Sequence, residues 1–280
     1  MQKKVLAIND ISCVGRCSLT VALPIISSAS IECSILPTAI LSTHTGGFNG
    51  YTFLDFTNEM EKISAHWESL NRKFDTIYTG FLGSKDQVDV VINIVKKFKD
   101  NNLVIVDPAM ADNGELYKIF DSSFPSEMKK LCKMSDIVIP NITEACLITN
   151  SEYIKNNHTD EYIDMLIEKL VNEGMKNIVL TGVSKNEGKV GAVCFDYNTK
   201  EKYYYELDLI DGYYHGTGDV FASVLTGAIT KGKSLKESME IAVDVTVDSI
   251  KQTIKYEGID FKYGVCFEES LSLFINKLNN

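Results

Sequence analysis

Short, continuously apolar runs alternate along this chain with stretches of helical spacing. Residues 5–8 (VLAI) end in Asn9-Asp10 and read as a buried strand. A helix follows over 17–30, with Pro24 as a kink, then a second strand over 31–36 and a Gly-rich loop over 43–50 (THTGGFNG). Phe53, Phe56, Met60, Ile63 and Trp67 recur at helical intervals and predict a helix over 53–70. The alternation then becomes regular. Strands are expected over 76–79, 103–106, 137–139 and 177–181, and helices over 84–99, 125–133, 142–149 and 160–173. Strands that are apolar on both faces and separated by helices belong to a mainly parallel sheet covered on both sides, an α/β fold. Residues 189–195 and 201–207 flank the turn-like Asp196-Tyr-Asn-Thr-Lys200 and read as an antiparallel hairpin at one sheet edge. Helices over 217–231, 235–255 and 267–278 complete the chain. No Pro/Ser-rich linker divides it, so residues 1–280 read as one domain.

Sheets of this kind bind ligands beyond the carboxyl ends of their strands. Those ends carry Asn9-Asp10, His44-Thr45-Gly46-Gly47, Gly80-Phe81-Leu82-Gly83, Asp107-Pro108, Pro140-Asn141 and Thr181-Gly182. They are small, polar and acidic, with hardly a basic residue among them.

Two segments compete as phosphate motifs. Residues 227–234 (GAITKGKS) match the P-loop spacing, but that motif works only between a strand and a helix. Here Val220, Val224, Leu225 and Ile229 give the preceding segment helical spacing, Gly232 fits a helix C-terminus, and Ser234-Leu-Lys-Glu237 fits a capping box. The segment therefore reads as a helix–turn–helix corner. Residues 213–219 (YYHGTGD) open the helix over 217–231. Gly216, Thr217 and Gly218 would bring exposed amides close to an anion. A carboxylate at Asp219 beside a phosphate suits a base that takes a proton from an attacking hydroxyl; an Asp favoured only by the helix dipole is the alternative. Asp107 and Asp112 follow one strand and Asn141 and Glu144 the next, a set able to serve Mg²⁺, which prefers oxygen ligands and keeps several waters. For Asn141 and Glu144 the competing reading is an N-cap with its partner three residues on.

Composition narrows the classes. The net charge is −10 and the only arginines are Arg16 and Arg72, which argues against nucleic acid as a partner. The seven cysteines include no C-x-x-C pair and read as free thiols of a reducing cytosol. No run reaches the length of a signal-peptide core or a membrane span, so a cytoplasmic protein without a membrane partner is expected. His66 and His158 are expected at the surface, and Trp67 in the core or a dimer surface. His215 and Arg16 are weighed as contacts to substrate or phosphate.

HGTGD before a helix, DPAMADNG after a strand, PNITEA after the next and STHTGG near residue 45 occur together and in order. In this the chain resembles the pyridoxal kinases of the ribokinase-like superfamily, in the bacterial pyridoxal/pyridoxamine branch. The likeness covers nearly the whole chain. It implies a ribokinase-like three-layer α/β/α sandwich and transfer of the ATP γ-phosphate to the 5′-hydroxymethyl group of a vitamin B6 vitamer. It implies Mg²⁺, room for a monovalent cation, and a homodimer. Asp219 matches the family's base, and Gly216, Thr217 and Gly218 its anion hole. Asp107, Asp112 and Glu144 match the metal-linked positions. Asn141, Thr181 and Gly182 match nucleotide contacts, Ile210 and Tyr214 the flank of adenine. Thr45 with His44 matches the contact to the pyridine ring. Asp10 stands where relatives often have Ser, and Phe81 where many have Tyr; both belong to the substrate end. The alternative is hydroxymethylpyrimidine kinase, which typically has Cys at the place of Asp219. A non-catalytic nucleotide-binding regulator on the same fold is the third reading.

Overall fold

A computed structural model describes residues 1–280. In chain order the elements are β1 (Lys4–Val14), α1 (Leu19–Ser28), β2 (Glu32–Thr43), β3 (Phe53–Asp55), α2 (Thr57–Ser69), β4 (Thr76–Thr79) and α3 (Lys85–Phe98). They continue with β5 (Leu103–Val106), β6 (Ala111–Asp112), β7 (Glu115–Leu116), α4 (Phe124–Cys132), β8 (Ile137–Val138), α5 (Ile142–Thr149) and α6 (Asp160–Asn172). The last are β9 (Asn177–Val183), β10 (Lys189–Phe195), β11 (Lys202–Asp208), α7 (Thr217–Thr230), α8 (Leu235–Thr253) and α9 (Leu271–Asn279). Nine strands form one sheet in the order β11-β10-β9-β8-β5-β4-β1-β2-β3. Its centre, from β2 to β9, is parallel, and β10 and β11 add the antiparallel hairpin at one edge.

The strands are apolar on both faces because both faces are covered. Leu6, Ile8, Ile77, Val104, Val106 and Val138 pack with the buried sides of α3 to α6. Val5, Ala7, Tyr78, Ile105, Ile137 and Val179 point the other way, into α1, α7 and α8 and the ring of Phe274 on α9. Successive residues of a strand alternate faces, so each of these short runs serves two cores. The result is the three-layer α/β/α sandwich that the sequence suggested.

Several boundaries differ from expectation. The strand expected over 31–36 continues to Thr43, and β1 likewise runs to Val14. The two stay paired through an irregularity between Asn9 and Ile11, where Pro37 faces Asn9; a bulge is a place where a proline's missing donor is tolerated. Phe53–Asp55 pairs antiparallel with β2 rather than starting a helix, and α2 begins at Thr57, whose N–H is taken by Asp55 Oδ1 at 2.7 Å. The aromatic at 53 matched the helical period without belonging to it. β9 runs on to Val183, past the expected end at 181, so Gly182 lies inside the strand rather than after it. Gly182 has φ +72° and sits at a register shift against β10, a bulge position suited to glycine.

The P-loop-like segment is the expected corner. α7 ends at Thr230, Gly232 has φ +96°, and Ser234 and Glu237 form a reciprocal capping box for α8. Against expectation, His158 is buried: its Nε2 meets the Ile154 carbonyl at 2.9 Å and its Nδ1 accepts the Ser184 N–H at 2.9 Å. His66 is exposed, and Trp67 packs on the core edge-to-face with Phe74. No helix is long and apolar enough to cross a membrane.

Candidate active site

A cleft of about 480 Å³ opens at the carboxyl ends of the strands. It gathers residues far apart in sequence. Asp107, Asp112, Asn141, Glu144, Thr181, Gly182, Ile210, Tyr214 and the whole Gly216-Thr217-Gly218-Asp219 segment line it together. Topology explains this, because β5, β8 and β9 are neighbours in the sheet and α7 starts above them.

Gly216 caps α7 with φ +77°, the left-handed region that favours glycine. A Cβ there would stand 2.1 Å from the Arg16 carbonyl oxygen, so the β1–α1 loop crosses directly over it. Asp219 lies in the first turn of α7. It opens onto the cleft but is deep in protein, and desolvation raises its carboxyl to about 7. The nearby Asp10 adds to the rise, while N–H groups of Ser18 and Asn9 oppose it.

The remaining acids have distinct tasks. Glu144 is buried, with Oε1 accepting from Met110 N at 3.0 Å and Ala111 N at 3.4 Å and Oε2 from Asn141 N at 2.9 Å. Asn141 returns its Oδ1 to Glu144 N at 2.9 Å and gives Nδ2 to the Ala111 carbonyl at 2.8 Å. The N-cap reading is therefore correct, and Glu144 staples the 107–112 loop to the start of α5. Asp112 accepts from Asn113 and, at 2.9 Å, from the Tyr213 hydroxyl across the cleft mouth. Burial, reinforced by Glu144 and Asp219, pushes the Asp107 carboxyl well above the carboxylate range.

Asp107, Asp112, Glu144, Asp208 and Asp219 line the cleft, and no Lys or Arg does. Arg16, weighed as a phosphate contact, is instead paired through Nε with both Glu268 oxygens at 2.8 and 2.9 Å. No three acidic, His or Cys side chains converge into a ready-made metal cage. The set does fit a cation that takes one or two carboxylates and otherwise binds water and phosphate, as Mg²⁺ does.

Four sequence-suggested substrate residues lie outside the cleft's lining. Asp10 is buried, with Oδ1 taken by Ser18 Oγ at 2.6 Å and Oδ2 by Ser12 Oγ at 3.1 Å. Each oxygen of the carboxyl, expected at the substrate end, thus already accepts one hydroxyl. Its carboxyl rises to about 6 by burial. His44 meets the Lys262 carbonyl through Nε2 at 2.5 Å and accepts the Gly46 N–H on Nδ1, which fixes the neutral tautomer. Its ring stands 4.9 Å from that of His215, which does line the cleft. Burial lowers both imidazoles, so both are neutral near pH 7. Thr45 follows in the same loop, and Phe81 is held by its N–H on Asn9 Oδ1 at 2.9 Å.

Sequence reasoning missed one wall altogether. Val243, Thr246, Val247 and Ile250 of α8 line the cleft opposite Ile210 and Tyr214. The Thr246 hydroxyl is buried and has no hydrogen-bond partner. Their helical spacing was visible, but an interior stripe and a ligand wall carry the same pattern.

A deep acid at a helix start, amides at its cap and an apolar slot beyond describe a phosphotransferase site. Residues 25–262 match the phosphomethylpyrimidine kinase family. The chain belongs to that family. A pyridoxal kinase of Dictyostelium discoideum is 26% identical over 275 residues, spanning 90% of this chain and 87% of that protein. A hydroxymethylpyrimidine/phosphomethylpyrimidine kinase of Bacillus subtilis is 25% identical over 218 residues, 78% of each chain. Among solved structures, a protein assigned as a phosphomethylpyrimidine kinase from Bacteroides thetaiotaomicron, crystallised with pyridoxal, is similar at TM-score 0.92 and 35% identity, covering 98% of this chain and 96% of that one. Pyridoxal kinase from Lactobacillus plantarum gives 0.90 and 27%, covering 99% and 98%. The chain is thus a kinase of the ribokinase-like superfamily, within the phosphomethylpyrimidine and pyridoxal kinase group.

Proposed function

We propose that this kinase transfers the γ-phosphate of ATP to the 5′-hydroxymethyl group of a vitamin B6 vitamer, with Asp219 as the base. The observation that carries this reading is the Asp219 carboxyl itself: first turn of α7, beside the Gly216–Gly218 amides, raised to about 7. A general base works best with a pKa near the working pH. Phosphoryl transfer needs in-line positioning and charge neutralisation more than covalent chemistry. Gly216, Thr217 and Gly218 offer N–H groups to the phosphates, and Asp219 accepts the proton of the primary alcohol. Ile210, Tyr214 and the α8 wall suit an adenine; Asn141, Thr181 and Gly182 lie toward the phosphates. Asp107 and Asp112, with Glu144 acting through water, would hold Mg²⁺, which supplies charge neutralisation on the triphosphate. The neutral His44–His215 pair with Thr45 and Phe81 suits a flat, polar heteroaromatic ring.

The same geometry serves hydroxymethylpyrimidine, and the Bacillus subtilis relative favours that second reading. The Asp at 219, where the resemblance puts a Cys in hydroxymethylpyrimidine kinases, supports the B6 reading. Release of ADP is to be measured with pyridoxal, pyridoxine, pyridoxamine and hydroxymethylpyrimidine. The B6 reading expects the largest kcat/KM with a pyridine substrate; a preference for the pyrimidine overturns it. A one-domain cytoplasmic homodimer completes the proposal, with sedimentation of the purified protein testing the dimer.

A further inference from the structure

The side-chain Nδ2 of Asn9 is buried with no hydrogen-bond partner within 3.5 Å. Asn9 is fully buried, in the stretch where β1 and β2 lose register. Its Oδ1 accepts two backbone N–H groups, from Asp10 and from Phe81, each at 2.9 Å. Two donors on one end settle which end is oxygen, because a flipped amide would set N–H against N–H. Nδ2 therefore points away from both. Room for it depends on Gly80: a Cβ there would lie 2.3 Å from Nδ2 and 2.7 Å from Cγ. Burying an NH₂ group without an acceptor is costly, and the Asp219 carboxyl lies near enough for this one to favour its ionised form.

We propose that Asn9 is a positioning residue for Asp219: its clamped amide donates to one oxygen of the ionised base, leaving the other to face the incoming hydroxyl. This rests on Asp219 being the base. The titratable groups around Asp219 are Asp10 on β1, Cys17 in the following loop, Tyr78 on β4, Asp107 after β5 and Tyr117 after β7. All are acids, so none supplies positive charge, and among the protein's own groups it is N–H donors that favour the ionised base. The second donor is the backbone N–H of Ser18. Ser18 has φ +59° and ψ −133°, rare for a residue other than glycine, and its Oγ ties it to Asp10. The two donors together orient one carboxylate in an otherwise acidic neighbourhood.

The test uses the full-length enzyme, with kcat/KM for pyridoxal measured across pH, nucleotide titration and thermal melting. Asn9→Asp has the same shape and still accepts from Asp10 and Phe81, but replaces the donor by a carboxyl. Its acid limb should move up by about one pH unit or more, the expected consequence of exchanging a donor for a like charge. Its kcat should fall about tenfold or more, with ATP affinity within about threefold of wild type. Gly80→Ala adds no titrating group but pushes the amide off Asp219, and should move the limb the same way. A purely structural Asn9 would leave Asn9→Asp near wild type, since both clamp bonds survive. A wild-type acid limb in either folded variant overturns the inference. A near-normal kcat in Asp219→Asn, measured beside them, would instead remove the base on which it rests.

Discussion

Replacing Asp219 by Asn should disable the enzyme and stabilise the nucleotide-free protein, and the second effect should depend on pH. Asn keeps the shape of the side chain but cannot accept the hydroxyl proton. Loss of a general base costs about 10²–10⁴-fold, so kcat should fall at least ~10²-fold while ATP binds with near-normal affinity. The stability effect follows from the carboxyl being raised from 3.8 to about 7 in the fold. A folded-state pKa above the unfolded one means that the native state holds the proton more tightly. Stability therefore falls as pH rises from about 4 to about 7, and the cost is fully present above pH 7. About 3 units at 1.36 kcal/mol each give about 4 kcal/mol as the upper figure. Two reductions apply. The carboxylate opens onto the cleft, where water screens part of its charge, and the Asn amide meets the donors of Ser18 and Asn9 less well, at roughly 1–2 kcal/mol. A net gain of about 1–3 kcal/mol at pH 8 remains, shrinking toward zero near pH 4.

Urea unfolding of wild type and Asp219→Asn without ligands, at pH 4.5 and 8, measures the difference. Steady-state kinetics with pyridoxal on the same preparations measures the loss of rate. In wild type, kcat/KM should fall with acid below pH about 7, because the protonated base is inactive. A near-normal kcat would refute the mechanism. A variant equally or less stable than wild type at pH 8 would refute the claim that Asp219 is buried at a cost.

Activity should require Mg²⁺ or Mn²⁺ and vanish with EDTA; activity in excess chelator would show that the acidic cleft is not neutralised by a metal. Glu144→Gln should lower stability by about 1–3 kcal/mol, because its NH₂ must face the backbone N–H groups that the carboxylate now accepts, and should raise the metal requirement more than the vitamer KM; an unchanged melting point would contradict the staple role. Gly216→Ala should abolish most activity, since its Cβ has no room against Arg16 and the left-handed φ is unfavourable; kcat within twofold of wild type would show that the loop yields. Lys233→Ala should leave the KM for ATP within about threefold, less than 1 kcal/mol, and a hundredfold loss would restore the P-loop reading.

Period and punctuation carried most of the fold. The runs at 76–79 and 103–106 became strands with the expected ends because each is buried on both faces and cut off by Asp, Gly or Pro. The β1–β2 arm was harder to see. Beyond Leu36 the proline and the adjacent buried pair Thr38–Ala39 break the alternation, which weakens the strand pattern. At the site, backbone-driven features were legible: the αL cap at Gly216, the capping pair Asn141–Glu144 and the acid after them. Partners supplied by folding were not. Nothing in the string shows that Arg16 meets Glu268, that Ser12 and Ser18 occupy Asp10, or that α8 walls the cleft. The first joins residues 252 positions apart, the second depends on how the β1–α1 loop turns back, and the third on which side of a helix faces the cleft.

The acids also explain how a protein of net charge −10 can hold a triphosphate. With no Lys or Arg in the cleft, attraction has to come from helix-start amides and from cations that arrive with the nucleotide. Burial raises the carboxyls of Asp107, Glu144 and Asp219, and Glu144 and Asp219 add to the rise at Asp107, so the cleft favours protons. Bound Mg²⁺ would reverse that preference and draw the acids toward their ionised forms. The base would thus be readied by the same event that delivers the phosphate. With Asp219 as the proposed base, an alcohol entering before the metal nucleotide would meet a partly protonated carboxyl, and proton abstraction would be tied to the presence of its phosphate acceptor.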